Sequence, residues 1–146
     1  RRRGVLFDIG HGKGSFCFKT ARAMLANGFE PDTISSDVHT LCIDGPAYDQ
    51  VTTMSKFLCL GMELGDVIKA STETAATAMR RPDLGTLAPG AAGDATVLDV
   101  LEGEFDYEDV KGQIMTGNQR IVSTGVVLNG AWWYPTDAEA GQEAAE

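Results

Sequence analysis

The sequence lacks the features that define several large classes of protein. Its three cysteines, Cys17, Cys42 and Cys59, are far apart, and no two of them form a C-x-x-C pair. An odd number of widely spaced cysteines favours reduced thiols over a disulfide scaffold or a zinc–thiolate cluster. No apolar run resembles a signal peptide, and none reaches the roughly 18 residues that a membrane span needs. We therefore expect a soluble, cytoplasmic protein without a membrane partner.

Positive charge is also scarce. The formal net charge is -9, with 12 lysines and arginines against 21 aspartates and glutamates. Because a nucleic-acid interface requires a basic face, this balance argues against nucleic acid as a partner. The acidic residues cluster after residue 102 and in the tail at 136–146, which we interpret as solvated surface and a flexible end.

The first 37 residues predict one strand–helix–strand unit. Residues 5–9 form a near-continuous apolar run, which is typical of a strand covered on both faces. A glycine-rich loop follows, Ser15 is a candidate N-cap, and the helical pattern ends at 27–28. Residues 33–36 then predict a second, parallel strand.

The remainder of the chain changes from helical to β patterns. Asp49 is placed to cap a second helix, residues 64–70 predict a third, and Thr72 is placed to cap a fourth that ends near Pro82. Short strands are predicted at 95–100, 121–122 and 126–128, and the pair at 129–130, Asn-Gly, predicts a type I′ hairpin turn. Two parallel strands cannot form a covered sheet alone, and a barrel needs about 250 residues. The chain is therefore expected to be the C-terminal piece of a larger fold.

Three polar residues follow the predicted parallel strands. Asp37 and His39 come directly after the second strand, and His11 follows the first. Because parallel α/β folds keep their chemistry at the carboxyl ends of strands, we expect these side chains to converge on one rim. A carboxylate there can bind a metal, act as a general base or cap a turn, and two imidazoles beside it favour a metal site.

The glycine-rich loop at 10–14 allows a competing hypothesis. It is not a Walker A loop, because Phe7 stands where the first glycine belongs and Gly14 where Ser or Thr belongs. It is closer to the first motif of Rossmann-like, S-adenosylmethionine-dependent methyltransferases or of dinucleotide-binding domains, with Asp37 as the ribose-binding acid. Such a domain should continue into alternating strands and helices, whereas this sequence continues into consecutive helices and then a β segment.

Three segments together resemble the amidohydrolase superfamily, in particular its dihydroorotase-like and deacetylase-type metallohydrolases. They are residues 7–16, residues 34–39 and residues 84–98. The resemblance extends over roughly residues 4–100 and implies an α/β fold. It identifies the last two strands and helices of a (β/α)8 TIM-type barrel, followed by a small β-sandwich segment. The domains expected from it are the barrel units at 1–82, the β appendage at 83–135 and the acidic tail at 136–146.

The resemblance also implies the chemistry of the site. Members of the family hold one or two divalent metals, usually zinc, and Asp37 matches the aspartate that binds metal and shuttles a proton. His11, Gly12 and His39 match positions that contact substrate or support the metal ligands. The family's other metal ligands have no counterparts here and are expected upstream of Arg1. The chain alone is therefore expected to bind metal poorly and to be inactive.

The predicted function is that of a metal-dependent amidohydrolase or deacetylase. It would cleave an amide or N-acyl carbon–nitrogen bond of a small-molecule substrate through a metal-activated water. The predicted macromolecular partner is the missing N-terminal part of the barrel or a second copy of the chain. Two alternatives remain at this point: the methyltransferase or dinucleotide-binding domain, and a non-catalytic fragment that completes another chain.

Overall fold

The structure is a computed structural model that describes residues 3–134, so the tail predicted at 136–146 lies outside the described residues. Among the described residues, no helix is both long and apolar enough to cross a membrane. The elements in chain order are β1 (Asp8–Gly10), α1 (Phe18–Ala26), β2 (Thr33–Ser35), α2 (Gln50–Cys59), α3 (Leu64–Ser71), α4 (Glu73–Ala78), β3 (Ala95–Glu108), β4 (Ile114–Leu128) and β5 (Ala131–Trp133).

The strand–helix–strand unit is present. β1 and β2 pair in parallel, with Asp8 opposite Thr33 and Gly10 opposite Ser35. Because side chains alternate along a strand, Ile9 and Ile34 point to one face, and both belong to or pack against the hydrophobic core. The opposite face of the pair carries polar side chains, so the two faces of this small sheet have different roles.

Two predictions for this unit were wrong. β1 begins at Asp8, and Val5 and Leu6 are 47% and 49% exposed instead of covered on both faces. The physical reason is that this sheet contains only two strands within residues 3–134, so no neighbour covers the preceding segment. Ser15 does not cap α1 either, because Cys17 occupies the N-cap position and makes no side-chain cap bond.

The three following helices lie close to their predicted positions. Asp49 caps α2, since its Oδ1 accepts a hydrogen bond from the Thr52 amide at 2.6 Å. α3 forms as predicted. Thr72 occupies the N-cap position of α4, but its hydroxyl donates to the Ile68 carbonyl instead of capping the helix, which ends at Ala78.

The last three strands form an antiparallel sheet in the order β3–β4–β5. The strands are longer than predicted, and the segments predicted at 121–122 and 126–128 are parts of β4. Asn129 and Gly130 both have positive φ, 52° and 77°, which confirms the predicted turn. Residues 3–134 contain this one antiparallel sheet and no second sheet packed on its face, so the sandwich remains a prediction, as do the domain boundaries.

One hydrophobic core joins the two halves of the chain. It includes Phe18 and Phe57 from the helices and Tyr107 and Ile121 from the antiparallel sheet. α2 lies against β4, where the Ser55 hydroxyl accepts a hydrogen bond from the Ile121 amide at 2.9 Å. The described part of the chain therefore packs the antiparallel hairpin directly against the helices that follow β2. All three cysteines are free.

Candidate functional site

A polar cleft lies at the carboxyl ends of the two parallel strands. Its volume is about 520 Å³, and it is lined by Asp8, Ile9, Gly10, Ser15, Ser35 and Asp37. Most of these residues belong to β1, β2 or the segments that leave them. The cleft therefore occupies the position where α/β folds place their ligands.

Asp37 lies two residues beyond β2 and has a backbone conformation that few residues adopt. Its φ is 48°, in the left-handed region that Asp tolerates better than most side chains. Its carbonyl accepts a hydrogen bond from the Cys42 thiol at 3.6 Å, which holds the turn. Its side chain is exposed in the cleft, and no described residue donates a hydrogen bond to its carboxylate. The carboxylate is thus held in place by its backbone and remains open to a ligand.

Gly12 lies directly against this carboxylate. It has φ 49°, and a Cβ built on it would lie 2.5 Å from Asp37 Oδ2. The Gly12 amide donates to the Ser36 carbonyl at 2.9 Å, which ties the loop after β1 to the segment after β2. Both the backbone conformation and the close approach require glycine at this position.

Asp8 contributes a second carboxylate to the same cleft. Its two oxygens accept hydrogen bonds from the Thr33 hydroxyl at 2.7 Å and the Ser35 hydroxyl at 2.6 Å. Asp8 is therefore satisfied by β2, in contrast to Asp37. It was not among the residues predicted for the site, although its place within a strand-like apolar run was an available signal.

His11 is fully buried and is not among the residues that line the cleft. Its Nδ1 lies 2.9 Å from the Gly12 carbonyl, and its Nε2 lies 2.8 Å from Lys56 Nζ. A lysine ammonium can only donate, so Nε2 accepts from Lys56 and the neutral ring carries its proton on Nδ1, which donates to Gly12. Burial and then the positive charge of Lys56 lower the pKa of His11, against an opposing contribution from the Gly12 bond. The ring also stacks on Phe16, with centroids 4.7 Å apart.

Lys56 is a buried cation that sequence reasoning missed. Besides its bond to His11, its Nζ donates to the Pro46 carbonyl at 2.6 Å and to the Glu108 carbonyl at 2.7 Å. Burial lowers its pKa to about 8, although Asp109 and other nearby carboxylates act in the opposite direction. No local signal in the sequence pointed to its burial, because helical spacing places Lys56 on the side of the helix opposite Met54 and Leu58.

Asp109 caps α1 from the far end of the antiparallel hairpin. Its Oδ2 accepts from the Phe18 amide at 2.9 Å, and its Oδ1 accepts from the amides of Lys111 and Gln113. Burial raises the pKa of this carboxyl, but the backbone amides outweigh burial and the pKa is lowered. Because a carboxylate already occupies the N-terminus of α1, that end of the helix is closed to the phosphate groups of a dinucleotide.

His39 lies in an exposed turn outside the cleft lining. Its ring Nδ1 accepts from the Leu41 amide at 3.3 Å. Of the three residues expected to converge, only Asp37 lines the cleft. Within residues 3–134, no group of three or more His, Cys, Asp or Glu side chains is arranged to hold a metal ion. The assignment of His11, Gly12 and His39 to substrate or ligand support remains a prediction.

Comparison with known proteins places this geometry in context. The chain is 37% identical over 111 residues to a deacetylase of Agrobacterium fabrum, covering 76% of this chain and 27% of the relative. It is 34% identical to a deacetylase of Brucella anthropi, over 80% of this chain and 29% of the relative. A deacetylase of Enterococcus faecalis is 31% identical, over 88% of this chain and 35% of the relative. The chain thus spans about a third of the length of these curated relatives. No protein-family model matches it.

The chain also matches part of the length of larger proteins of known structure. A crystal structure of an adenine deaminase superposes with a TM-score of 0.88 at 30% identity, covering 92% of this chain and 37% of that one. A crystal structure of a dihydroorotase superposes with a TM-score of 0.78 at 32% identity, covering 90% of this chain and 36% of that one. Both are TIM barrels of one superfamily, and a fragment of that fold accounts for the paired parallel strands and the cleft at their ends. The chain therefore matches the C-terminal portion of deacetylase, adenine deaminase and dihydroorotase members of the amidohydrolase superfamily.

Proposed function

We propose that the complete protein is a metal-dependent hydrolase of the deacetylase type, which cleaves an amide or N-acyl carbon–nitrogen bond of a small molecule. The observation that carries this proposal is the Asp37 carboxylate, which is exposed in a cleft at the strand ends and accepts no hydrogen bond from the described residues. The similarity to deacetylases supports the reaction class. The free thiols support a cytoplasmic location.

A divalent metal fits Asp37 as one ligand among several. An open carboxylate is a suitable ligand for zinc, and a catalytic zinc takes about three protein ligands. Residues 3–134 do not supply such a group, so the remaining ligands would come from outside the described part of the chain. When bound, the metal supplies a water whose pKa is low enough for attack near neutral pH.

The residues of this chain would move the proton and keep the site open. The Asp37 carboxylate would take a proton from the attacking water and then return it to the departing nitrogen. Gly10 and Gly12 leave the space beside that carboxylate free of side-chain atoms. Asp8, held by two hydroxyls, fixes a second carboxyl group on the same wall of the cleft.

Two structural features bear on the alternative functions. The closed N-terminus of α1 argues against a dinucleotide or S-adenosylmethionine site at the glycine-rich loop. The exposed apolar residues Val5, Leu6 and Phe7 favour a fold in which further strands cover β1. Such strands could belong to the same polypeptide or to another chain that this one completes.

The test is Asp37→Asn in the complete protein, assayed against N-acetylated amino acids and cyclic amides. We expect turnover to fall by about 1,000-fold, because the amide cannot take up the proton. Asp44→Asn is the matched control, since Asp44 is an exposed carboxylate in the following loop. Turnover by Asp37→Asn within about tenfold of the wild type would refute the assignment of Asp37 as the proton-transfer group.

A further inference from the structure

We propose that Lys56 and His11 form a buried relay that positions the Asp37 carboxylate through Gly12. Both are positioning residues, since neither lines the cleft. The inference rests on the proposed function for the role of Asp37, but the contacts that carry it are independent of the reaction.

The relay is a continuous series of short contacts. Lys56 Nζ donates to His11 Nε2 at 2.8 Å, and His11 Nδ1 donates to the Gly12 carbonyl at 2.9 Å. Gly12 in turn lies so close to Asp37 that an added Cβ would meet Oδ2 at 2.5 Å. A change in the position of the His11 ring therefore moves the backbone that borders the Asp37 carboxylate.

The position of the Lys56 ammonium, where the relay begins, is fixed by hydrogen bonds. Its two other acceptors are main-chain carbonyls, one at Pro46 in the loop before α2 and one at Glu108 at the end of β3. Three chain segments that are distant in sequence thus meet at one nitrogen. Because all three hydrogens of the ammonium have acceptors, the side chain has one well-defined position.

Core packing alone does not account for a lysine at this place. Lys56 is 0% exposed, and burial of a cation is unfavourable unless the charge is paired and hydrogen-bonded. Cys59 and Leu60, three and four residues further along the chain and on the same side of the helix as Lys56, pack against the hydrophobic core, so this face accommodates apolar side chains. A methionine would fill the volume at a lower desolvation cost, so the hydrogen bonds of the ammonium are the property that distinguishes lysine here.

His11 is suited to transmit this position. Its ring is stacked on Phe16, which restricts its plane, and its two nitrogens connect the ammonium on one side to Gly12 on the other. The Gly12 amide is held by the Ser36 carbonyl, one residue before Asp37. Gly12 is thereby fixed from both sides, and the loop after β1 keeps a constant distance from the carboxylate.

The experiment compares Lys56→Met with Val67→Ala in the complete protein. Val67 is a fully buried core residue on α3 that belongs neither to this series of hydrogen bonds nor to the cleft lining, so it reports the effect of lost stability. For Lys56→Met we expect kcat to fall by about 10- to 100-fold, with KM changed by less than about twofold, because Asp37 acts in the transition state. Affinity for zinc, measured by chelator competition, should weaken by about 10- to 100-fold. Val67→Ala should lower the unfolding temperature and leave kcat and zinc affinity unchanged.

A second variant tests the relay if Lys56→Met does not fold. His11→Gln retains an acceptor for Lys56 near the position of Nε2 but loses the donor to Gly12, and we expect the same loss of kcat and zinc affinity. Wild-type kcat in either folded relay variant, or an equal loss in Val67→Ala, would overturn the relay. An active Asp37→Asn would instead refute the proposed function, so the two failures are distinguishable.

Discussion

The parallel pair β1–β2 and the antiparallel hairpin β3–β4 use their residues in opposite ways. The parallel strands are three residues each, and their polar face opens into the cleft that contains Asp37. The hairpin strands are 14 and 15 residues long and consist of exposed and half-buried residues, with Tyr107 and Ile121 as their buried residues. The short pair therefore carries the candidate chemistry, whereas the long hairpin contributes contacts that hold it.

The two regions meet at the turn between β3 and β4. Asp109 in that turn caps α1, and the Val110 amide donates to the Phe16 carbonyl at 3.1 Å. The carbonyl of Glu108 also accepts from Lys56. Because the parallel pair carries the candidate site and the hairpin supports it, we expect substitutions in the loop after β1 to alter activity. Substitutions in the turn between β3 and β4 should instead alter stability.

Among the variants that test this comparison between the two regions, Gly12→Ala is expected to have the largest effect. An alanine must adopt a positive φ at this position, and its Cβ would collide with Asp37 Oδ2. We expect kcat/KM to fall by about 100-fold because the carboxylate is displaced from its position. The measurement is steady-state kinetics of the complete protein with the substrate that the wild type turns over best.

Gly14→Ala is the matched control in the same loop. Gly14 has no atom within 4 Å of an added Cβ, so this variant should retain wild-type kcat/KM. Equal losses in both variants would mean that the loop tolerates no side chain for reasons unrelated to Asp37. The loss of activity in Gly12→Ala would then give no support for assigning the candidate chemistry to the parallel pair.

A smaller effect is expected from Asp109→Ala, and it concerns stability. Removal of this buried carboxylate leaves the amides of Phe18, Lys111 and Gln113 without their acceptor. We expect the free energy of unfolding to fall by about 3 kcal/mol. Urea unfolding measures it, with Asp106→Ala as the control, since the Asp106 carboxylate makes an exposed bond to Thr116. A loss of kcat in folded Asp109→Ala as large as that in Gly12→Ala would contradict the separation of roles.

The smallest effect is a pH dependence that originates at His11. Its pKa is lowered in the folded state from the ordinary value of 6.5. The neutral ring therefore contributes its full stability above about pH 6.5, and that stability is lost as the pH falls below it, because the unfolded chain binds a proton that the folded chain excludes. The unfolding temperature of the wild type should fall more steeply between about pH 7 and about pH 5.5 than that of His11→Gln. Parallel slopes would show that His11 does not titrate differently in the two states.

Local chemistry was sufficient to predict much of the fold. The Asn129–Gly130 turn, the cap at Asp49 and the parallel unit that ends before Asp37 each depend on residues close together in the sequence. The extent of β1 was not predictable, because whether an apolar run is covered depends on strands that the local pattern does not specify.

The residues that the sequence did not reveal are joined over long distances. Asp109 and Phe18 are 91 residues apart, and Lys56 and His11 are 45 residues apart. Neither pair produces a local periodicity, and Asp109 and Lys56 are of residue types that are usually exposed. The position of Asp37 at a strand end was predictable, whereas the burial of His11 depended on a partner that only the folded chain brings near.

The way in which Lys56 is bound has a consequence for how this sequence can diverge. Two of its three acceptors, at Pro46 and Glu108, are carbonyl groups of the main chain, which every amino acid possesses. Substitutions at those two positions therefore leave the ammonium two of its acceptors, whereas the third acceptor is a side-chain atom and depends on which residue occupies position 11. Homologues that retain a lysine at position 56 should accordingly retain an acceptor side chain at position 11, and vary freely at positions 46 and 108.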